Sequence, residues 1–335
     1  MREIEIKSNE AGQRFDKFLK KYLSEASASF IYKMLRKKNI VLNGKKATGN
    51  EKLATGDRVK LFLAEDTIGK FAGKPPSVPE PAFSAQKPDI LYEDEHILLI
   101  NKPVGLLSQK AKPQDVSVVE GVIRYLLEEG ALSKEDLSTF KPSVCNRLDR
   151  NTSGIITAGK SLAGLQKLGE LFKDRTVRKY YLCLVHGKVT ASRHICGYLV
   201  KDEKTNKVTV TKKQQTEDAL PIETEYVPVA YSDQLSLLRV HLITGRTHQI
   251  RAHLASMGHP LLGDRKYGTG RKDGRADHQM LHAYELIFPE LEAPFEGLSK
   301  QKICAPVPLT FYRIIKETAW EHGTQEALEV LHSKI

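Results

Sequence analysis

The sequence lacks most of the signatures that announce a common chemistry. Its 335 residues hold only four cysteines, Cys145, Cys183, Cys196 and Cys304, none in a CxxC pair, so nothing suggests a disulfide framework. No run of 18 apolar residues exists, and no membrane span is expected. The N-terminal stretch MREIEIKSNEAGQRF has no apolar core of the kind a signal peptide needs. A reducing cytoplasm fits these absences. GTGRKDGR (268–275) is rich in glycine and arginine but is not a P-loop, because GxxxxGK[ST] is missing. No Rossmann glycine pattern follows a strand and no GxSxG elbow occurs. Nucleotide-dependent enzymes and the common hydrolases are therefore disfavoured.

What the chain has in surplus is positive charge. Its formal net charge is +11 and its pI about 9.3. Lys and Arg gain affinity for polyanions by releasing counterions from phosphates, so a nucleic-acid partner is favoured over a merely basic surface. The surplus is uneven: residues 1–70 carry 16 Lys/Arg against 9 Asp/Glu. The length suits two domains, one small and one larger, and 40% apolar residues suffice for packed cores.

Residues 14–63 read as the small unit. RFDKFLKKYL places Phe15, Phe18, Leu19 and Tyr22 at helical spacing. Ser27 and Ser29 offer N-caps for a second helix, FIYKMLRKK. On it Lys33, Arg36 and Lys37 fall at i, i+3 and i+4 and share a face. IVLNGKKA predicts a short strand running into an Asn-Gly turn that carries Lys45, and TGDRVKLFLA a turn and a closing strand. A basic helix face is usually just solvated. Here the adjoining lysine turn and the local charge favour RNA contact. Residues 69–88, GKFAGKPPSVPEPAFSAQKP, read as an extended linker. Beyond Asp89 strands and helices mix. DILYEDEHILLINKP predicts two strands, VVEGVIRYLLEEG and LAGLQKLGELFKD helices, and SGIITAGKS, KYYLCLVHGKV and LSLLRVHLITG strands, with a helix THQIRAHLASMG after them.

Three segments carry candidate chemistry. In VCNRLDRNTSG (144–154), Asp149 sits between Arg147 and Arg150. Flanking cations favour an ionised carboxylate, which can serve as a nucleophile. Alone, RLDR is more often a structural ion pair. In ITGRTHQIRAHLASMGHP (243–260), Gly245 permits a tight turn into a helix whose first turn projects basic groups, and Arg251 is able to pair with a carboxylate. The spacing of His248, His253 and His259 fits no standard zinc site, and no metal is expected. In KYYLCLVHG (179–187), a buried strand sends one of Tyr180 and Tyr181 inward and the other outward.

Each signal is weak alone. In this order on one chain they resemble the RluA-type RNA pseudouridine synthases. The residues that carry the likeness are NRLDRNTSG (146–154), KYY (179–181), GRTHQIRAHLASMGHPLLGDRKYG (245–268), LHAYELIFP (281–289) and the opening DILYEDEHILLINKPVGL (89–106). The likeness covers nearly all of residues 89–316. The basic unit resembles the S4 RNA-binding domain through RFDKFLKKYL, SFIYKMLRKKNIVLNGKKA and GDRVKLFL. The resemblance implies an α+β chain. An S4-like domain (1–70) and a linker (71–88) precede a catalytic domain (89–320) with a mixed, mainly antiparallel sheet and flanking helices, and a C-terminal tail (321–335) ends the chain. It implies isomerisation of a flipped-out uridine, with Asp149 as nucleophile, Arg251 paired to it and Tyr181 taking part in removal of the C5 proton. Arg147 matches the position that fills the vacated space; Arg150, Arg246 and His248 are expected at the RNA, as are Lys33, Arg36, Lys37 and Lys45 in the S4-like part. No cofactor is implied, since nothing is oxidised and no group is gained or lost. The expected partner is RNA, with 23S ribosomal RNA or a large-subunit precursor favoured, and a monomer is expected. Asn146 stands where many members have His, so contacts beside the target base are expected to differ. A non-catalytic RNA-binding assembly factor with the same fold explains the charge equally well, but not the joint match of Asp149, Tyr181 and Arg251. A metal-dependent nuclease using Asp and His predicts inhibition by chelator and strand cleavage.

Overall fold

A computed structural model describes residues 1–72, 87–202, 204–268 and 274–332. The N-terminal unit comprises β1 (Arg2–Glu5), α1 (Phe15–Tyr22), α2 (Ala28–Arg36), β2 (Ile40–Leu42), β3 (Lys45–Lys46), β4 (Arg58–Leu61) and α3 (Glu65–Phe71). The apolar stripe of α1 buries Phe15, Phe18 and Leu19 completely, against Ile31 and Leu35 of α2 and Val59 and Leu61 of β4. Ser27 caps α2, its hydroxyl accepting from Phe30 N at 3.2 Å. Asn43 and Gly44 both have positive φ, 51° and 73°, which is what a two-residue turn between β2 and β3 requires. The sheet order is β1-β4-β2-β3. β1 and α3 were not anticipated. β1 is recruited by pairing Arg2 with Leu61, a contact that no local pattern announces. α3 continues the chain past the expected boundary, and Phe71 packs on Phe30 with ring centroids 4.4 Å apart. Residues 71 and 72, expected to open the linker, therefore belong to α3 and its C-cap. Residues 73–86 of that expectation lie outside the described residues. Among the described residues, two polar contacts join the N-terminal unit to the larger part of the chain: Lys7 Nζ to Asp136 at 2.8 Å, and the Thr139 hydroxyl donating to Glu10 at 2.6 Å.

The larger part is built on one sheet. Its elements are β5 (Ile90–Glu93), β6 (Ile97–Lys102), α4 (Val118–Glu128), β7 (Ser143–Val144), β8 (Ser153–Gly159), α5 (Leu162–Lys173), β9 (Arg178–His186), β10 (Arg193–Asp202), β11 (Lys207–Thr211), β12 (Leu220–Tyr231), β13 (Leu235–Leu242), α6 (Gln249–Ser256), β14 (Leu281–Ile287), β15 (Lys302–Cys304), α7 (Leu309–Glu317) and α8 (Thr324–Leu331). The order is β11-β10-β12-β13-β9-β14-β8-β6-β5, with β15 on β14 and β7 on β8. Among the named strands of the described residues, only β14 and β8 pair in parallel. The apolar run of β6 does not alternate because both its faces are covered. Leu98 and Ile100 pack with Val118 and Val122 of α4, and Ile97 and Leu99 with Leu168 and Leu171 of α5. The expected tail is a correction: 321–332 contains α8, whose Ala327 is wholly buried in the cluster formed with α7 and the far half of the sheet.

One glycine fixes the geometry near the site. Gly154, the second residue of β8, has φ 106°, and a Cβ there would lie 2.1 Å from the Ala283 carbonyl oxygen of β14. The two strands meet backbone to backbone, so the TSG sequence admits no side chain at its last position.

Candidate active site

Asp149 lies in the loop between β7 and β8. Three anchors hold that loop from beneath. The Ser108 hydroxyl donates to Leu148 O and accepts from Leu148 N, both at 2.9 Å. The Asn146 side-chain oxygen accepts from Thr157 N at 2.7 Å, and its amide nitrogen donates to Ile155 O at 3.2 Å. Asn146 thus staples the loop to β8, giving its hydrogen-bonding groups to the protein's own strand. Lys102 ends β6 with no exposed surface and spends its ammonium on three carbonyls, Pro103 and Leu106 at 2.8 Å and Arg150 at 3.1 Å. Burial pushes its pKa down to about 7, opposed by the Asp149 charge. The loop is tied through its backbone, which leaves the Asp149 carboxylate, 27% exposed, facing the cleft.

Arg251 on α6 reaches that carboxylate across 102 residues of sequence: Nη1 donates to Asp149 Oδ2 at 2.8 Å. Its other edge is held by Asp264, with Nε donating at 2.7 Å and Nη2 at 2.9 Å. Asp264 in turn accepts from Lys266 N at 2.8 Å and Tyr267 N at 3.1 Å. The guanidinium is thereby fixed in one plane. Burial opposes its charge, but Asp264 and Asp149 outweigh that and raise its pKa. Asp264 is buried, which by itself raises a carboxyl's pKa; Arg251 more than reverses this and lowers it.

His248 completes this wall. Its Nε2 is 3.8 Å from Asp149 Oδ2, and its Nδ1 is 3.0 Å from the Tyr267 hydroxyl. Burial lowers its pKa against the pull of Asp149. The left-handed residue that starts α6 is His248, at φ 54°, not Gly245. The turn reverses three residues later than the glycine suggested because Gln249 organises it. Its oxygen accepts from Thr244 Oγ1 and Arg246 N, and its amide donates to Glu223 O and Thr224 Oγ1.

Tyr181 points into the cleft and Tyr180 to the opposite sheet face. There Tyr180 stacks on His241 at 4.8 Å beneath the Arg239 guanidinium, 3.7 Å from the ring centre. Burial first, and then the Asp149 charge, raise the pKa of Tyr181. Its phenol is protonated at neutral pH, which tells against a free phenolate acting as base.

Ser108, Asn146, Asp149, Tyr181, His248 and Arg251 line one cleft of about 1110 Å³. Asp149 is the only carboxylate among its lining residues, set against nine Lys and Arg side chains. Arg147, Arg150 and Arg246 are exposed there. Thr152, also in the lining, has the one buried side-chain oxygen among the described residues with no hydrogen-bond partner. Of the expected RNA-contact residues, Lys33, Arg36, Lys37 and Lys45 are not part of the cleft; they are exposed on α2, its C-cap and β3 of the N-terminal unit. The three histidines weighed as zinc ligands go to separate partners. His253 meets Thr224 at 3.2 Å and His259 the His186 carbonyl at 3.1 Å, while His248 faces Asp149. Metal-ligand spacing among the described residues occurs instead at His194, Cys196 and Glu223. Strand register puts these on the sheet face away from Tyr181, where His194 already bonds Glu223 at 2.8 Å. Motif reading missed Lys102, Ser108 and Asp264. The first signal was a lysine closing an apolar strand, and the last an acid in the loop after α6.

A fixed carboxylate in a strongly basic cleft on a mixed sheet points to an enzyme acting on a polyanion, and comparison with known proteins agrees. The model for RNA pseudouridylate synthase matches residues 96–256. The chain belongs to the RNA pseudouridine synthase family, whose members are isomerases. It is 33% identical over 304 residues to a ribosomal large subunit pseudouridine synthase C from Vibrio vulnificus, covering 88% of this chain and 90% of that one. To the protein of the same name from Escherichia coli it is 31% identical, covering 89% and 94%. Human RNA pseudouridylate synthase domain containing 1 shares the fold at a TM-score of 0.55 and 23% identity, over 76% of this chain and 98% of that one.

Proposed function

We propose that this protein converts uridine to pseudouridine in large-subunit ribosomal RNA, with Asp149 as the nucleophile. The observation that carries the reading is the Asp149–Arg251–Asp264 array: one carboxylate, held by a doubly anchored guanidinium, in a basic cleft. The large-subunit target rests on the relatives that bear that name.

The uridine leaves its stack to enter, at a cost of a few kcal/mol. Exposed Arg147 beside the nucleophile takes the vacated space, while Arg150, Arg246 and His248 face the strand. Asp149 attacks at C1′ of the ribose or C6 of the uracil. The C1′–N1 bond breaks, the base turns, and C1′–C5 forms. The C5 proton then leaves and N1 gains one, so the sum is an isomerisation. Because Tyr181 keeps its own proton, it relays the C5 proton towards the released Asp149 carboxylate instead of taking it as a phenolate. Arg251 stabilises Asp149 whenever it is ionised. The residues present need no cofactor for these steps.

The N-terminal unit serves as an S4-like anchor on structured RNA. Lys33, Arg36, Lys37 and Lys45 are exposed and enter no ion pair among the described residues, so their charge is available to phosphates. All four cysteines are free, in keeping with work in the cytoplasm.

Asp149→Asn tests the assignment. It is expected to abolish pseudouridine in a ribosomal RNA transcript while RNA affinity stays within a few-fold. An active Asp149→Asn protein would remove Asp149 from the mechanism.

A further inference from the structure

Lys179 is out of place by the ordinary rules of burial. It lies on β9 two residues before Tyr181, on the same sheet face, and is only 9% exposed. A lysine that deep normally has a carboxylate partner. Among the described residues Lys179 has no ion pair and no side-chain hydrogen bond; its ammonium merely stands 6.0 Å from the centre of the Phe172 ring. Burial depresses its pKa, and the charge that adds to the effect, Arg175, has the same sign. Arg175 occupies the turn between α5 and β9 in the left-handed region, φ 59°, exposed and likewise without an ion pair. Both side chains line the cleft, with Phe172 and Arg147.

A methionine would fill the Lys179 space without desolvating a charge. Two like charges converging on one part of a cleft, with no counter-charge from the protein, are mutually unfavourable until an anion arrives. We propose that Lys179 and Arg175 form a phosphate subsite that holds a backbone phosphodiester of the substrate strand, apart from the Asp149–Arg251 centre. The inference rests on the RNA-modifying reading of the cleft and adds where the strand is gripped: at the junction of α5 and β9. A phosphodiester suits the place because a single anion satisfies the ammonium and the guanidinium together. Gripping the strand there offsets part of the cost of extruding the uridine.

The test is Lys179→Met in the full chain. Removing an uncompensated buried charge is expected to raise the melting temperature of the RNA-free protein by roughly 2–4 °C. The KM for a ribosomal RNA transcript is expected to rise about tenfold, with kcat within about threefold. The plot of log KM against log salt should become shallower by about one. Arg175→Gln, at an exposed position, should move KM and slope in the same direction and combine less than additively with Lys179→Met, since both meet one phosphate. Lys179→Arg should retain the wild-type slope. Unchanged KM and slope in both Lys179→Met and Arg175→Gln overturn the subsite, as does a lowered melting temperature with KM unchanged, which marks a structural lysine. If wild type is active under those outcomes, the subsite fails and the synthase reading stands; an active Asp149→Asn sinks that reading instead.

Discussion

Asp264→Asn separates the orientation of Arg251 from its charge. Asp264 is 5% exposed and gives both oxygens to Arg251, while one of them also takes two backbone N–H groups. Asparagine keeps one acceptor oxygen and turns an NH2 towards either the guanidinium or those amides, so donor faces donor. One charge-assisted hydrogen bond disappears, about 1.5–3 kcal/mol, and a buried donor is left unmet, about 1–3 kcal/mol. Breaking a buried ion pair outright costs about 3–5 kcal/mol, and here Asp149 still shields Arg251, so about 3 kcal/mol of folding stability is the expected loss. The catalytic consequence is independent of that loss. With one anchor gone the guanidinium can rotate about Nη1, and misplacement on the scale of 1 Å costs about 10²-fold. The assay is tritium release from a transcript labelled at uridine C5, run well below the variant's melting temperature, with urea unfolding in parallel. A kcat within twofold of wild type, accompanied by the full stability loss, would refute the claim that Asp264 orients the site.

Three further outcomes are expected. Burial pushes His253 and His282 from the ordinary 6.5 down to about 4. Between these values the unfolded chain binds protons that the folded one refuses, so stability is full above about pH 6.5 and falls as pH drops towards 4, by up to about 3 kcal/mol per histidine. Urea midpoints that stay flat across this window would contradict buried neutral imidazoles. Gly154→Ala drives a Cβ into the Ala283 carbonyl and should cost at least about 3 kcal/mol by thermal melting, as a left-handed, overpacked position. Replacing Lys33, Arg36 and Lys37 together by Ala should leave folding within about 1 kcal/mol, since these are exposed groups at a helix C-terminus. The same change should flatten the salt dependence of RNA binding by about three; an unchanged slope would reduce that face to a solvated surface.

Much of the element pattern was written locally. α1 followed from apolar spacing and α2 from its serine caps, α4, α5 and α6 were read as helices from their segments, and the hairpin turn at Asn43-Gly44 follows from the φ values those residues tolerate. The motif blocks named Asp149, Tyr181 and Arg251, and these three line one cleft. Partnership and burial were not legible, because each depends on chain far away. β1 exists through its pairing with β4, more than 50 residues on. α8, which fully buries only Ala327, reads as a tail when only its few apolar residues are seen. A lysine looks the same in sequence whether it is solvated, like Lys33, spent on carbonyls, like Lys102, or buried and unpaired, like Lys179. Local sequence thus determined the periodicities, the turn chemistry, the surplus of charge and the reactive residue types. Tertiary structure alone decided which carboxylate faces solvent, which arginine is held in plane by Asp264, and which cations the protein leaves unmatched. Those are properties of dielectric and distance, and they arise only when residues far apart in sequence come to lie a few ångströms apart.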